Sequence, residues 1–93
     1  MFVHTVFFKF KEDSATEEAR RRLESMSGKV TSLKTIEVGV DELQTARSWD
    51  MVLITRFEDR SGYDAYAVDP IHLEVLTWLK RQVRESATVD YSV

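Results

Sequence analysis

The chain of 93 residues carries 13 basic and 16 acidic side chains, contains no cysteine and has a formal net charge of −3. Its length predicts one domain spanning residues 1–93, and its acidic balance argues against nucleic acid as a partner, because nucleic-acid-binding domains concentrate basic charge on one face. Without cysteine, disulfides, thiolate catalysis and cysteine zinc sites are excluded.

The first predicted element is a β-strand at residues 2–10, because this segment is short and rich in aromatic and β-branched side chains. Side chains alternate between the two faces of a strand. One face carries Phe2, His4, Val6, Phe8 and Phe10, and the other carries Val3, Thr5, Phe7 and Lys9. Both faces are therefore largely apolar. If helices cover one face of the sheet, the apolar side chains of the other face would remain exposed to solvent.

The next elements are predicted to be a helix and two strands. Ser14 and Glu17 have the spacing of a capping box, which predicts a helix beginning at Ser14, and Gly28 is a suitable left-handed stop. Residues 33–41 alternate in hydrophobicity, which predicts a half-buried strand. Residues 49–57 predict another strand that is apolar on both faces.

The C-terminal third predicts helical structure and a last strand. A short helical stretch follows the turn at residues 58–62. Asp69 can cap the next helix and Pro70 suits its first position, so this helix is expected to run to about Arg84. The tail, residues 88–93, predicts the last strand.

This order of elements predicts an α+β fold of the ferredoxin-like βαββαβ type, a four-stranded antiparallel sheet with helices on one face. The apolar second faces of strands 2–10 and 49–57 would form a larger exposed patch than a monomer usually shows. We therefore expect a homodimer whose two sheets pack face to face as a dimeric α/β barrel. Any space left between sheet and helices would be an apolar pocket.

The sequence also predicts where the protein is located. No apolar run approaches the ~20 residues of a membrane-spanning helix. The N-terminal FVHTVFF lacks the basic region of a secretory signal. We therefore expect a cytoplasmic protein with no membrane partner.

Several segments together resemble the stress-responsive dimeric α/β-barrel (Dabb) family over nearly the whole chain. They are VHTVFFKFK in the first strand, VGVD around Gly39, RFED after the third strand, the spacing of Tyr66, Pro70 and His72, and the closing VDYSV. The resemblance implies a ferredoxin-like fold, a dimer with facing sheets, and binding of a small apolar or aromatic compound. Within the family, the chain is similar to plant polyketide cyclases of the olivetolic acid type.

The resemblance also implies the site residues. His72 corresponds to the catalytic base and Tyr66 to the tyrosine that orients it, with His4 in the same pocket. The chemistry is reasonable because imidazole titrates near neutral pH and a phenol can donate to an enolate oxygen. The other expected substrate-binding residues are Val6, Phe8, Tyr63 and Leu76.

No metal and no cofactor are expected. His4, His72 and Asp69 supply too few ligands for a zinc or magnesium site, and no local spacing supports one. Family members usually show a tract like His-Pro-x-His before the second helix. In this chain Asp69 replaces the first histidine of that tract, while His72 keeps the second.

Two other functions remain open from the sequence. The chain could form a non-catalytic, stress-responsive structural dimer in which His4 and His72 only complete the hydrogen bonding of the core. It could also be a cofactor-independent monooxygenase of the dimeric α/β-barrel superfamily that oxidises a quinol-like substrate, since the fold permits several reactions.

Overall fold

The computed structural model describes all residues, 1–93, and contains four strands and three helices. The elements are β1 (Phe2–Phe10), α1 (Ala15–Glu24), β2 (Thr35–Val40), β3 (Met51–Phe57), α2 (Arg60–Val68), α3 (Pro70–Gln82) and β4 (Val83–Ser92). The strands form one antiparallel sheet in the order β2-β3-β1-β4. The predicted α+β fold and the predicted order of elements are confirmed.

The last strand is longer than the sequence predicts. β4 begins at Val83 instead of residue 88, and it pairs with β1 from Phe10 opposite Val83 to Phe2 opposite Ser92. Residues 84–86 are polar or charged and carry no strand signal of their own. Pairing with the central strand β1 therefore decides their conformation, and α3 correspondingly ends at Gln82.

The predicted capping box at the start of α1 is wrong. Ser14 has helical backbone angles and its side chain makes no capping hydrogen bond. Gly28 does adopt the left-handed conformation, with φ of +77°, but α1 already ends at Glu24. Turns therefore separate the end of the helix from the glycine.

The helices α1, α2 and α3 cover one face of the sheet and enclose the hydrophobic core. Alternate residues of β1 and β3 point into this core, including Val6, Phe8, Leu53 and Phe57. Phe57 is fully buried, and its ring packs against the two tyrosines of α2. The core thus joins the central strands to the helix that carries part of the candidate site.

The opposite face of the sheet has no covering element. Val52 and Ile54 of β3 are half-buried on this face, and Val89 and Tyr91 of β4 are 58% and 44% exposed. Val3 is buried but lies outside the main core cluster. We call this apolar surface the outer face. None of the helices has the length and apolar composition that crossing a bilayer requires.

Candidate functional site

A cavity of about 250 Å³ lies between the sheet and the helices. Strands β1, β3 and β4 contribute His4, Val6, Phe8, Leu53, Ser86 and Thr88, and helices α1, α2 and α3 contribute Leu23, Tyr63, Tyr66, His72, Val75, Leu76 and Leu79. All seven residues that the sequence nominates lie in this lining: the catalytic candidates His72 and Tyr66, and the substrate-binding candidates His4, Val6, Phe8, Tyr63 and Leu76.

His72 enters the cavity from the first turn of α3. The side chain of Asp69 accepts a hydrogen bond of 2.8 Å from the Ile71 N–H and so fixes the start of the helix. The His72 Nδ1 atom lies 3.3 Å from the carbonyl oxygen of Ala67. Because a carbonyl can only accept, Nδ1 carries the proton and Nε2 keeps a free lone pair in the neutral ring.

The environment keeps the His72 imidazole neutral near pH 7. Burial is the largest influence and lowers the pKa of His72 below its ordinary value, and the nearby His4 adds a smaller effect in the same direction. Hydrogen bonding to Ala67 opposes this shift but does not reverse it. A neutral imidazole with a free Nε2 is the form that acts as a general base.

Tyr66 contacts the histidine through its ring. The Tyr66 and His72 ring centroids are 4.1 Å apart at an interplanar angle of 34°, and the tyrosine is 1% exposed. Burial raises the pKa of the Tyr66 phenol above its ordinary value, so the hydroxyl stays protonated and available as a donor.

His4, like His72, has a hydrogen-bond partner at Nδ1 and a tyrosine ring packed against its imidazole. It lies on β1 directly opposite Asp90 of β4, and its Nδ1 atom hydrogen-bonds with the Asp90 carboxylate. A carboxylate accepts, so Nδ1 donates and Nε2 is left for another partner. The Tyr63 ring packs on the imidazole with a centroid distance of 4.9 Å. The side chain of His4 is 13% exposed and that of Asp90 is 38% exposed.

Asp90 is a site residue that the sequence analysis missed. Its contribution depends on the pairing of β1 with β4, which places residues 86 positions apart opposite one another. The sequence offers only a weak signal for this pair, an acidic residue in the last predicted strand. The register that brings Asp90 to His4 is a product of the folded sheet.

The lining of the cavity contains no lysine, arginine, aspartate or glutamate. Its polar groups are two imidazoles, two phenols and the hydroxyls of Ser86 and Thr88. No group of three or more histidine, aspartate or glutamate side chains in the structure could hold a metal ion. The site is therefore an apolar cavity with a few polar groups that can hydrogen-bond.

Another concavity, near the loop that joins β2 to β3, is acidic, and two of its carboxylates have a structural role. It contains Asp13, Asp41 and Asp50. Asp50 accepts from the Phe10 N–H at 2.8 Å, and Asp41 accepts from the Gln44 N–H at 2.6 Å. These carboxylates hold the backbone of the loop and the end of β1.

A family model described as "Stress responsive A/B Barrel Domain" matches residues 2–93. The chain is also similar to the Stress-response A/B barrel domain-containing protein At5g22580 of Arabidopsis thaliana. The two are 28% identical over 99 residues, which cover 99% of this chain and 86% of that protein.

Solved structures support the same fold. A dimeric protein of unknown function with a ferredoxin-like fold from Bacteroides fragilis superposes with a TM-score of 0.86 at 23% identity, covering 99% of this chain and 95% of that chain. The hydroxynitrile lyase of Passiflora edulis superposes with a TM-score of 0.85 at 13% identity, covering 99% and 92% of the two chains. At these identities the likeness is one of fold.

Proposed function

Because the chain belongs to the stress-responsive A/B barrel domain family, we propose that it forms a homodimer that binds a small apolar or aromatic compound in the cavity between sheet and helices. In this proposal, residues 1–93 form one domain and the protein is located in the cytoplasm. The uncovered outer face and a relative described as dimeric support the homodimer.

One observation carries the ligand-binding proposal. His4 and His72 line the same apolar cavity, and each has its Nδ1 atom committed to an acceptor that belongs to the protein. Both rings therefore keep Nε2 for a molecule in the cavity. Histidines that only completed a core would have no need for an open space between them.

The proposed chemistry is general-base catalysis by His72. Its neutral Nε2 removes a proton from a hydroxyl group, or from a carbon next to a carbonyl group, of the bound compound. The Tyr66 hydroxyl donates a hydrogen bond to the oxygen on which negative charge develops. Packing against the tilted ring of Tyr66 and the hydrogen bond to Ala67 hold the imidazole ring in place. The Passiflora edulis lyase is an enzyme on this fold, which supports an enzymatic function.

The proposal is tested by following the imidazole NMR signals of His4 and His72 during titration with a panel of single-ring ketones, phenols and alcohols. At least one compound is expected to shift the signals of both rings, because both line one cavity. Signals that respond to no compound would favour the non-catalytic structural dimer. Oxygen consumption with a quinol would instead favour the monooxygenase.

A pair of matched variants on α3 links this response to the cavity. Leu76 lines the cavity, whereas Leu73 is 44% exposed on the surface of the same helix. Leu76→Trp is expected to fill the space and weaken binding of the responding compound at least about tenfold, while Leu73→Trp leaves it unchanged. Equal affinities for the two variants would place the binding elsewhere on the protein.

A further inference from the structure

The charge of the cavity restricts what it can bind. Every lining side chain is apolar, aromatic, an imidazole or a hydroxyl, and burial keeps His72 neutral. The Asp90 carboxylate is already hydrogen-bonded to His4 and adds negative charge behind that ring, and the Asp69 carboxylate lies close enough to influence the pKa of His72. A bound anion would therefore meet no permanent cation in the lining, and it would lie near the negative charges of Asp90 and Asp69.

The basic side chains of the neighbouring helix α1 form ion pairs outside the cavity. Arg22 donates to Glu18 at 2.6 Å, and its guanidinium lies 4.5 Å from the centroid of the Trp78 ring. Arg21 also pairs with Glu18, and Arg20 pairs with Glu24. None of these arginines is part of the lining.

Size restricts the ligand further. Cavities that enclose drug-sized molecules have volumes of roughly 300 to 1,000 Å³. At about 250 Å³, this cavity is smaller than that range. A cavity of this volume suits a molecule with one ring.

From charge and size together, we propose that the cavity takes an uncharged single-ring compound with one hydroxyl or carbonyl oxygen, such as an aromatic ketone, alcohol or phenol. This inference rests on the proposed function and specifies its substrate class. The oxygen lies among Tyr66, His72 and His4, where it can exchange hydrogen bonds, and the ring packs against Val6 and Phe8. A carboxylate in the same place would lose its water without gaining a counter-ion.

The test compares four compounds that share one benzene ring: acetophenone, benzyl alcohol, benzoate and benzylammonium. Their dissociation constants are measured with the whole protein at pH 7.5 by the imidazole NMR shifts. One of the two uncharged compounds is expected to bind at least about tenfold more tightly than either ion, since only the ions must lose their water in a cavity whose lining carries no opposite charge. Benzoate or benzylammonium binding as tightly as the uncharged compounds would overturn the inference while leaving the cavity as a binding site. If none of the four binds, both the proposed function and this inference fail.

A variant that adds a cation should change the preference. Thr88 lines the cavity from the exposed strand β4, so Thr88→Arg brings a guanidinium that can pair with a carboxylate. We expect this variant to bind benzoate at least about tenfold more tightly than the unmodified protein does. Thr77→Arg is the matched control, because Thr77 is exposed on α3 and lies outside the lining. An equal gain in benzoate affinity in both variants would contradict the proposal that carboxylates are disfavoured because this cavity lacks a cation.

Discussion

At the scale of single residues, each of the two histidines in the cavity has a hydrogen-bond acceptor that the fold supplies. Ala67 and Asp90 accept from Nδ1 of His72 and His4, respectively. In each case an acceptor fixes the tautomer and leaves the second nitrogen to the cavity. The aromatic rings of Tyr66 and Tyr63 then hold the two imidazoles by packing.

The lowered pKa of His72 predicts a specific dependence of stability on pH. Its ordinary pKa is 6.5, and burial lowers this value in the folded chain. As the pH falls through about 6.5, the unfolded chain gains a proton at His72 that the folded chain does not, so the free energy of unfolding decreases. Above that pH both states are neutral, and His72 contributes no pH dependence.

Urea denaturation at pH 7.5 and pH 5.5 tests this prediction. His72→Gln is expected to lose less stability between these two pH values than the unmodified protein, because its side chain does not titrate. Glu18 and Asp59 have lowered pKa values, through hydrogen bonds from Arg22 and Ser61 respectively, and they lose their contribution at more acidic pH. An equal loss of stability in both proteins would show that His72 is not held neutral by burial.

At the scale of elements, the junction of α2 and α3 builds the candidate site. Asp69 has extended backbone angles, with φ of −66° and ψ of 131°, and Pro70 follows as the first residue of α3. A proline at the first helical position costs no hydrogen bond, and it disfavours helical angles in the residue before it. The chain therefore turns at Asp69. This turn brings Tyr66 and the carbonyl of Ala67 from the end of α2 to His72 in α3.

Replacing the cap of α3 is expected to weaken this junction. Asp69→Ala removes the hydrogen bond to the Ile71 N–H and should lower the free energy of unfolding by about 1 kcal/mol. Ser14→Ala is the matched control, since the Ser14 side chain makes no capping bond at α1 and its removal should change stability by less than about 0.5 kcal/mol. Urea denaturation at neutral pH measures both. If the two variants lose the same stability, the Asp69 cap does not contribute as the geometry indicates.

At the scale of the whole molecule, the outer face is an apolar surface that no element of the isolated chain covers. Val52, Ile54, Val89 and Tyr91 lie on a sheet surface that no helix covers. A stable interface between two proteins buries about 800 Å² on each partner, and a sheet face of four strands is large enough to supply such an area. A second copy packed on this face would bury these residues and leave the cavity on the other face open.

A charge on the outer face should separate the proposed homodimer into monomers. Ile54→Glu places a carboxylate at the centre of the sheet surface, and its burial in an interface without a partner is costly. We expect sedimentation to show a monomer for this variant and a dimer for the unmodified chain. Leu43→Glu is the control, because Leu43 is 82% exposed in the loop between β2 and β3. An Ile54→Glu variant that stays dimeric would place the interface elsewhere. Far-UV circular dichroism establishes whether the variant remains folded.

The sequence by itself determined the features that depend on local periodicity and on turn chemistry. The two apolar faces of residues 2–10 and 49–57 predict the central strands, and Asp69 with Pro70 predicts the start of α3. The spacing of Tyr66, Pro70 and His72 then indicates the candidate site through resemblance. These features can be predicted from the sequence because each depends on residues that are close together in the chain.

Only the tertiary structure decided the features that depend on pairing between distant residues. The polar start of β4 becomes a strand because β1 offers its backbone hydrogen bonds, and Asp90 meets His4 because the register of that pairing places them opposite each other. The capping role expected of Ser14 was wrong, since the backbone at that position is already helical. The opening of about 250 Å³ between the histidines likewise depends on how the helices pack on the sheet, because the volume left between packed elements is a property of all their side chains together.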